Sequence, residues 1–427
     1  MQVELIPRAA AHLLDELSEV FRVVVLHGPR QAGKSTILAG FQARRAGSTL
    51  DTLDDPATLA AATMDPRRFV DFGVRPQIID EVQRGGDRLL TSIKVAVDSK
   101  PGPGQFVLAG STNFLNTRAI SESLAGRAAY LTVWQFSMAE RVGLPSDQPA
   151  LAALGERSTQ MGRGWTREAY LDLICTGGFP EPVSLPARFR STWFDSYLDA
   201  VIMRDIREFH EIRNAPALRR MLSLVAMRAG SPLVIGDLAT TVELSATTVG
   251  NYLGYLDGVF LTFALPAWTP ALPTQPTRTP RSYVADVGLA AHLSGATPSG
   301  LSSRRVPGAG SLGPLVETLV VTELTRMLAN DPTAPRLRYY RDRTGREIDL
   351  IAEYPDGSIV GIEVKATGSP GADDARHLAW LRDRMGKRFR AGYVMSMGRE
   401  ALPFGDRITA VPISALWHNL PARPAGD

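Results

Sequence analysis

Cysteine is nearly missing from this 427-residue chain, in which Cys175 is the only one. An internal disulfide and a cysteine-rich zinc site are therefore excluded, and a reducing cytoplasm is the expected setting. Lysine is scarce as well: of 47 basic residues only five are lysines, namely Lys34, Lys94, Lys100, Lys365 and Lys387. Arginine serves wherever a generic surface cation is wanted. The two cations are not interchangeable at a tight site, so a lysine retained inside a motif, as Lys34 and Lys365 are, points to a need for a compact ammonium. No apolar run reaches the ~18 residues that suggest a membrane helix, so no membrane partner is expected. The opening stretch "MQVELIPRAAAHLLDEL" carries acids and reads as an amphipathic helix rather than an export signal. Neither charge is in large excess. The formal net charge of +3 permits nucleic-acid binding without requiring it.

What is present is an ordinary globular composition, 44% hydrophobic and 21% charged, in a chain long enough for two or three domains. The stretch "RVVVLHGPRQAGKSTIL" begins with a β-branched run, Val23 to Leu26, that predicts a buried strand. It turns at "HGPRQAGKST" and enters a predicted helix. Gly28, four residues (Pro29, Arg30, Gln31, Ala32) and then Gly33-Lys34-Ser35-Thr36 have the spacing of a phosphate-binding loop. The glycines let backbone N–H groups curl around a phosphate, and the helix adds the positive end of its dipole. Lys34 is expected at the β- and γ-phosphates of ATP, and the Ser35 hydroxyl at Mg²⁺.

Further along, "RPQIIDEVQR" predicts a short buried strand ending in Asp80-Glu81. Asp80 is the expected partner of Ser35 at the Mg²⁺, and Glu81 the expected base toward an attacking water. A third strand, "QFVLAGST", ends in Ser111, Thr112 and Asn113, and Thr112 is a candidate γ-phosphate contact. In "SESLAGRAAYL", Arg127 is a candidate for stabilising transition-state charge on its own or a neighbouring subunit's nucleotide. His27 reads as a strand-end residue and not as a catalyst.

The set "LHGPRQAGKST", "IIDEVQR", "LAGSTNF" and "ESLAGR" resembles the AAA-like prokaryotic ATPases whose C-terminal half is a DUF4143 domain. "LDTLDDPATLAAATMDPRRFV", "TGGFPEP", "WFDSYLDAVIMRDI", "RSYVADVGL" and "GPLVETLVVTEL" extend the resemblance over nearly the whole chain. It implies architecture and ATP use better than a physiological task.

The middle of the chain reads as mostly helical from Trp165 to Phe263. Within it, a short helix ending near Thr241, a cap at Ser245, a second helix through Leu256 and an apolar strand outline a winged helix. Thr247, Thr248 and Asn251 would face a DNA groove. That second helix carries no arginine or lysine, however, and phosphate contacts dominate DNA affinity, so a packing module is the preferred reading. Residues 266–280, "PAWTPALPTQPTRTP", hold five prolines, which excludes a helix and suggests a linker.

Beyond it, "LRYYRDRTGREIDLIAEY" and "SIVGIEVKAT" predict two strands joined through Pro355-Asp356-Gly357. Glu363 and Lys365 are two apart and share a face, and Asp349 can lie opposite them. Two carboxylates beside an ammonium can hold Mg²⁺ against a scissile phosphate and orient a water. The order resembles the PD-(D/E)xK restriction-endonuclease-like superfamily, with Glu317 on the preceding helix as the extra carboxylate. Arg346-Glu347-Ile348 precedes Asp349, without the Pro-Asp that names the motif.

The expectation is an α/β protein in four stretches. A P-loop NTPase (AAA-like) domain spans 1–150 and a helical, winged-helix-like region 151–265. A Pro-rich linker covers 266–280, and a restriction-endonuclease-like α/β domain 281–427. Three functions remain open: ATP-regulated cleavage of nucleic acid, DNA before RNA; a nucleic-acid motor with a silent nuclease fold; and a nucleotide-dependent switch or scaffold that binds a protein partner. Assembly into a homo-oligomer is compatible with each.

Overall fold

The computed structural model describes residues 5–111, 124–143, 151, 154, 165–206, 214–269, 279–303, 312–331 and 333–417. The chain divides into two compact units, 1–136 with 258–260, and 137–257 with 261–427. Both flanks of the Pro-rich segment thus fall within the second unit.

The first unit is built on five parallel strands, β1 (Val23–His27), β2 (Thr49–Thr52), β3 (Gln77–Asp80), β4 (Phe106–Gly110) and β5 (Ala128–Thr132). Their order across the sheet is β2-β3-β4-β1-β5, so β1 lies between β4 and β5. Every residue of β1 and β4 is buried, as expected of central strands covered on both faces. Side-chain alternation splits the core in two. Val23, Val25, Ile79, Phe106 and Leu108 pack on one face with residues of helices α3 (Pro56–Met64), α4 (Pro66–Phe72) and α5 (Gly86–Ser99). Val24, Leu26, Ile78, Val107 and Leu131 pack on the other with α1 (Ala9–Val20) and α2 (Lys34–Ala43). Helices α3 and α4 each begin with Asp-Pro, and the Asp55 and Asp65 carboxylates accept N–H bonds from Thr58 (2.8 Å) and Arg68 (3.0 Å).

The second unit starts as a helical region and ends in a mixed sheet. Helices Ala215–Met227, Ile235–Val242 and Ala246–Gly258 are followed by an antiparallel pair, β6 (Thr262–Leu265) and β7 (Arg281–Val284). Ser245 caps its helix as expected, accepting the Thr248 N–H at 3.1 Å. Residues 270–278 of the Pro-rich stretch lie outside the described residues, but Ala267 bridges to Tyr339.

The six-stranded sheet runs β12-β13-β11-β10-β9-β8. Its strands are β8 (Arg336–Arg341), β9 (Glu347–Glu353), β10 (Ile359–Lys365), β11 (Phe389–Ser396), β12 (Leu402–Gly405) and β13 (Ile408–Pro412). The first three are antiparallel, and β10, β11 and β13 are parallel to one another. The expected hairpin is present. Gly357 takes a positive φ of 77°, and the Asp356 carboxylate accepts the Ser358 N–H at 3.0 Å to close the turn. Trp268, Tyr340, Ile348, Ile359, Leu378, Leu381 and Phe389 form the core beneath helix Arg376–Met385.

Candidate functional site

In the first unit the loop between β1 and α2 has the glycine geometry that its spacing predicts. A Cβ on Gly28 would collide with the Val133 carbonyl, so only glycine fits this close approach. Gly33 adopts a φ of 93° and opens α2 in the left-handed region. The loop is braced by the residue that precedes α1: Arg8 donates to the carbonyls of Ala32 (2.7 Å) and Trp134 (2.6 Å). The Lys34 side chain turns back along the loop, donating to the carbonyls of Gly28 (2.9 Å) and Pro29 (2.7 Å). The Ser35 hydroxyl donates to Asp80 Oδ2 at 2.7 Å, across 45 residues of sequence. These two oxygens suit a small hard cation, since a hydroxyl and a carboxylate at the lip of a phosphate cradle are typical Mg²⁺ donors.

Glu81 follows in a left-handed conformation, φ 53°, which swings its side chain out of the strand direction. Its carboxylate is paired with the Gln83 amide, and the Ser111 hydroxyl lies 3.4 Å away. Burial raises its pKa above the ordinary carboxylate value; Lys34 opposes the shift and Asp80 adds to it. His27, beneath the loop, has its pKa lowered to about 4 by burial and by the Lys34 charge, and its Nε2 meets the Thr132 hydroxyl at 3.1 Å. It is a neutral, packed strand-end residue.

Ser35, Asp80, Glu81 and Lys34 are thus brought together. Arg127 is not: it precedes β5, at the end of the sheet away from the loop. Its guanidinium forks onto Asp98, Nε to Oδ1 at 2.6 Å and Nη2 to Oδ2 at 2.8 Å. Four residues of strand at ~3.3 Å each separate the two ends of β1, so within its own chain Arg127 does not reach the phosphate loop. Thr112 lies outside the described residues. The role of Gln83 beside Glu81 had no signal beyond its position two residues downstream.

In the second unit the residues singled out on the hairpin also converge. The β9–β10 ladder ends at Leu350–Ile362, and beyond it Asp349 Oδ2 takes over as acceptor of the Val364 N–H, at 2.8 Å. Lys365 donates to Glu363 Oε2 at 2.9 Å. Glu317, from helix Leu312–Leu328, accepts from the Tyr283 hydroxyl at 2.6 Å and from Arg281 Nη1 at 3.1 Å. Burial, then repulsion from Asp349, raises the pKa of both Glu317 and Glu363.

The expectation that Asp349, Glu363 and Glu317 hold a metal does not fit this donor set. The fully buried Arg281 already stands among the carboxylates, paired with Glu317 and Glu347 and 3.7 Å from Asp349 Oδ1. Among the described residues no group of three or more His, Cys, Asp or Glu side chains is arranged to hold a metal ion. Sequence reasoning missed Arg281, Tyr283 and Glu347. A signal existed: Arg281 and Tyr283, like Glu347 and Asp349, are two apart on strands and so share a face.

Residues 20–142 match the AAA domain family, residues 167–300 a domain of unknown function, DUF8612, and residues 312–416 a domain of unknown function, DUF4143. Two curated relatives are the uncharacterized proteins Rv2008c of Mycobacterium tuberculosis and Mb2031c of Mycobacterium bovis. Each is 29% identical over 393 residues, covering 91% of this chain and 80% of the relative. Among solved structures, the Walker-type ATPase PABY2304 of Pyrococcus abyssi is similar at 16% identity and a TM-score of 0.41, over 68% of this chain and 96% of that one. AMPPCP-bound DnaA from Aquifex aeolicus is similar at 15% identity and a TM-score of 0.25, over 58% and 85%. An AAA domain match at 20–142 together with a DUF4143 match at 312–416 is the combination that the motifs resemble.

Proposed function

We propose that this protein binds ATP with Mg²⁺ at the loop from Gly28 to Thr36 and hydrolyses it. The observation that carries the reading is the 2.7 Å contact between Ser35 and Asp80 beside a loop that only glycine can form at Gly28. Backbone N–H groups of Arg30, Gln31, Ala32 and Gly33 are the phosphate donors, and Lys34 supplies the cation for the outer phosphates. Ser35 and Asp80 would hold Mg²⁺, which when bound neutralises charge on the phosphates.

Glu81 accepts the proton of the attacking water. Its raised pKa brings it nearer to neutrality, where a carboxylate is the stronger base. Gln83 and Ser111 hold the carboxylate in place. The test is ATP turnover and nucleotide affinity measured side by side in Lys34→Ala and Glu81→Gln. Lys34→Ala should lose tight binding, whereas Glu81→Gln should bind ATP and scarcely turn it over. Wild-type turnover in Glu81→Gln would remove Glu81 from the mechanism.

For the output of hydrolysis, a switch or scaffold that engages a protein partner is favoured over cleavage of nucleic acid. Of the carboxylates that cleavage would need, Glu317 is paired with Arg281, Asp349 lies 3.7 Å from the same guanidinium, and Glu363 is paired with Lys365. The helix Ala246–Gly258 brings no cation to a DNA groove. Supercoiled plasmid should stay intact with Mg²⁺ and ATP, and neither DNA nor RNA should change the ATPase rate. Nicking that disappears in Lys365→Ala would restore the nuclease reading.

A further inference from the structure

Three carboxylates at one end of a sheet would ordinarily recruit a divalent cation, and the oxygens here show why this set does not. Arg281 opens β7 with its side chain at 0% exposure. Its Nη1 lies 3.1 Å from Glu317 Oε1 and 3.7 Å from Asp349 Oδ1, and its Nη2 pairs with Glu347 Oε1. The guanidinium stacks over the Tyr339 ring, 4.5 Å from its centroid, which fixes its plane.

Three of the other oxygens are engaged in hydrogen bonds. Asp349 Oδ2 holds the Val364 N–H, Glu363 Oε2 holds Lys365, and Glu317 Oε1 holds the Tyr283 hydroxyl. Glu317 Oε2 is walled by Gly230, where a Cβ would collide with it. One buried oxygen, Glu363 Oε1, is left without a hydrogen-bond partner; His377 Nδ1 is 3.8 Å away and bonded instead to the Glu347 carbonyl at 2.7 Å. Asp349 Oδ1, 3.7 Å from Arg281, is likewise not hydrogen-bonded, but it faces the guanidinium; two such oxygens fall short of the several that magnesium-type ions need in near-octahedral order.

We infer that Arg281 stands where a divalent cation would and closes the acidic cluster to metal, so that these carboxylates form an internal ion-pair lock. The guanidinium suits the task because it stays charged, and its planar fork can reach carboxylates on two elements at once. Here those elements are helix Leu312–Leu328, through Glu317, and β9, through Glu347. The lock goes beyond the ATPase reading and stands or falls without it.

The test uses the nucleotide-free full chain and Mn²⁺ as probe, with bound Mn²⁺ followed by electron paramagnetic resonance. Wild type should show no Mn²⁺ binding that Asp349→Asn removes. Arg281→Met, similar in length but uncharged, should gain a Mn²⁺ site more than about tenfold tighter than anything in wild type. Adding Asp349→Asn to Arg281→Met should abolish that gain. Saturable Mn²⁺ binding by wild type that is lost in Asp349→Asn would overturn the inference. So would an Arg281→Met protein that keeps its near-ultraviolet circular dichroism and gains no site. Should Arg281→Met fail to fold, wild type against Asp349→Asn decides alone: equal Mn²⁺ signals uphold the lock, and a loss in the variant refutes it. ATP turnover, read separately, reports on the phosphate loop and leaves this outcome untouched.

Discussion

The phosphate loop and the acidic cluster are both gatherings of charged side chains at strand ends, yet they are built in opposite ways. The loop is local: Gly28 to Ser35 lie in one turn, with Asp80 and Glu81 delivered by a strand of the same sheet. Its positive character comes from backbone groups together with the side chains of Arg30 and Lys34 that the motif itself supplies. The cluster is dispersed, drawing Arg281 from β7, Glu317 from a helix, Glu347 and Asp349 from β9, and Glu363 and Lys365 from β10. A local site is poised for a ligand because its own backbone cannot satisfy all of its donors. A dispersed one can be satisfied from within by any cation that the fold happens to route past it.

The sharpest test of this contrast is Glu81→Gln, which should cut ATP turnover by about 10²–10⁴-fold with affinity retained, as for loss of a general base. Binding assays alongside steady-state turnover check it. If the cluster is instead a structural lock, Arg281→Met should destabilise the protein by about 3–5 kcal/mol, the cost of stranding buried charges, without slowing ATP turnover in the folded fraction. Chemical denaturation measures this, and a change below about 1 kcal/mol would mean that the ion pairs hold little together.

A pH prediction separates the two units. His27 is neutral in the fold with a pKa of about 4, against 6.5 in the unfolded chain. The unfolded state therefore takes up the proton first as pH falls. The stability that His27 confers is complete above pH 6.5 and is lost as pH drops toward 4, by linkage. His27→Gln should flatten that part of the stability profile. The carboxyls of Glu317 and Glu363, with raised pKa values, act in the other direction. Below the unfolded carboxyl pKa both states are protonated and the second unit is favoured. As pH rises, the unfolded carboxyls ionise first and stability is lost. Glu363→Gln should weaken this loss. The smallest expected effect is Ser245→Ala, about 1 kcal/mol for a lost helix cap, with no change at either site.

The difference in construction also explains what could be read in advance. The loop, the acids after β3 and the turn at Asp356-Gly357 were legible because each is a short-range pattern with its own steric reason, such as the crowding that forbids a side chain at Gly28. The convergence of Asp349, Glu363 and Lys365 followed from strand alternation. Arg281 was not legible because nothing near it in sequence names its partners; only the routing of β7 brings it to Glu317 and Glu347. Arg127 is the reverse case for its own chain's nucleotide, while its role toward a neighbouring subunit stays an expectation. A motif-like setting suggested a role at the nucleotide, while its place before β5 gives it Asp98 instead.

Arg281 also bears on where this protein can be cut. The carboxylates that it neutralises lie within residues 312–416, the stretch that matches one domain family, while Arg281 belongs to the preceding stretch, 167–300, which matches another. The boundary recognised by sequence similarity therefore runs through an ion-pair network. A fragment trimmed to begin at 312 would keep Glu317, Glu347 and Asp349 and lose their counter-charge. The smallest faithful excision of the C-terminal sheet has to reach back past β7, so for this half of the molecule the folding module is larger than the inherited one.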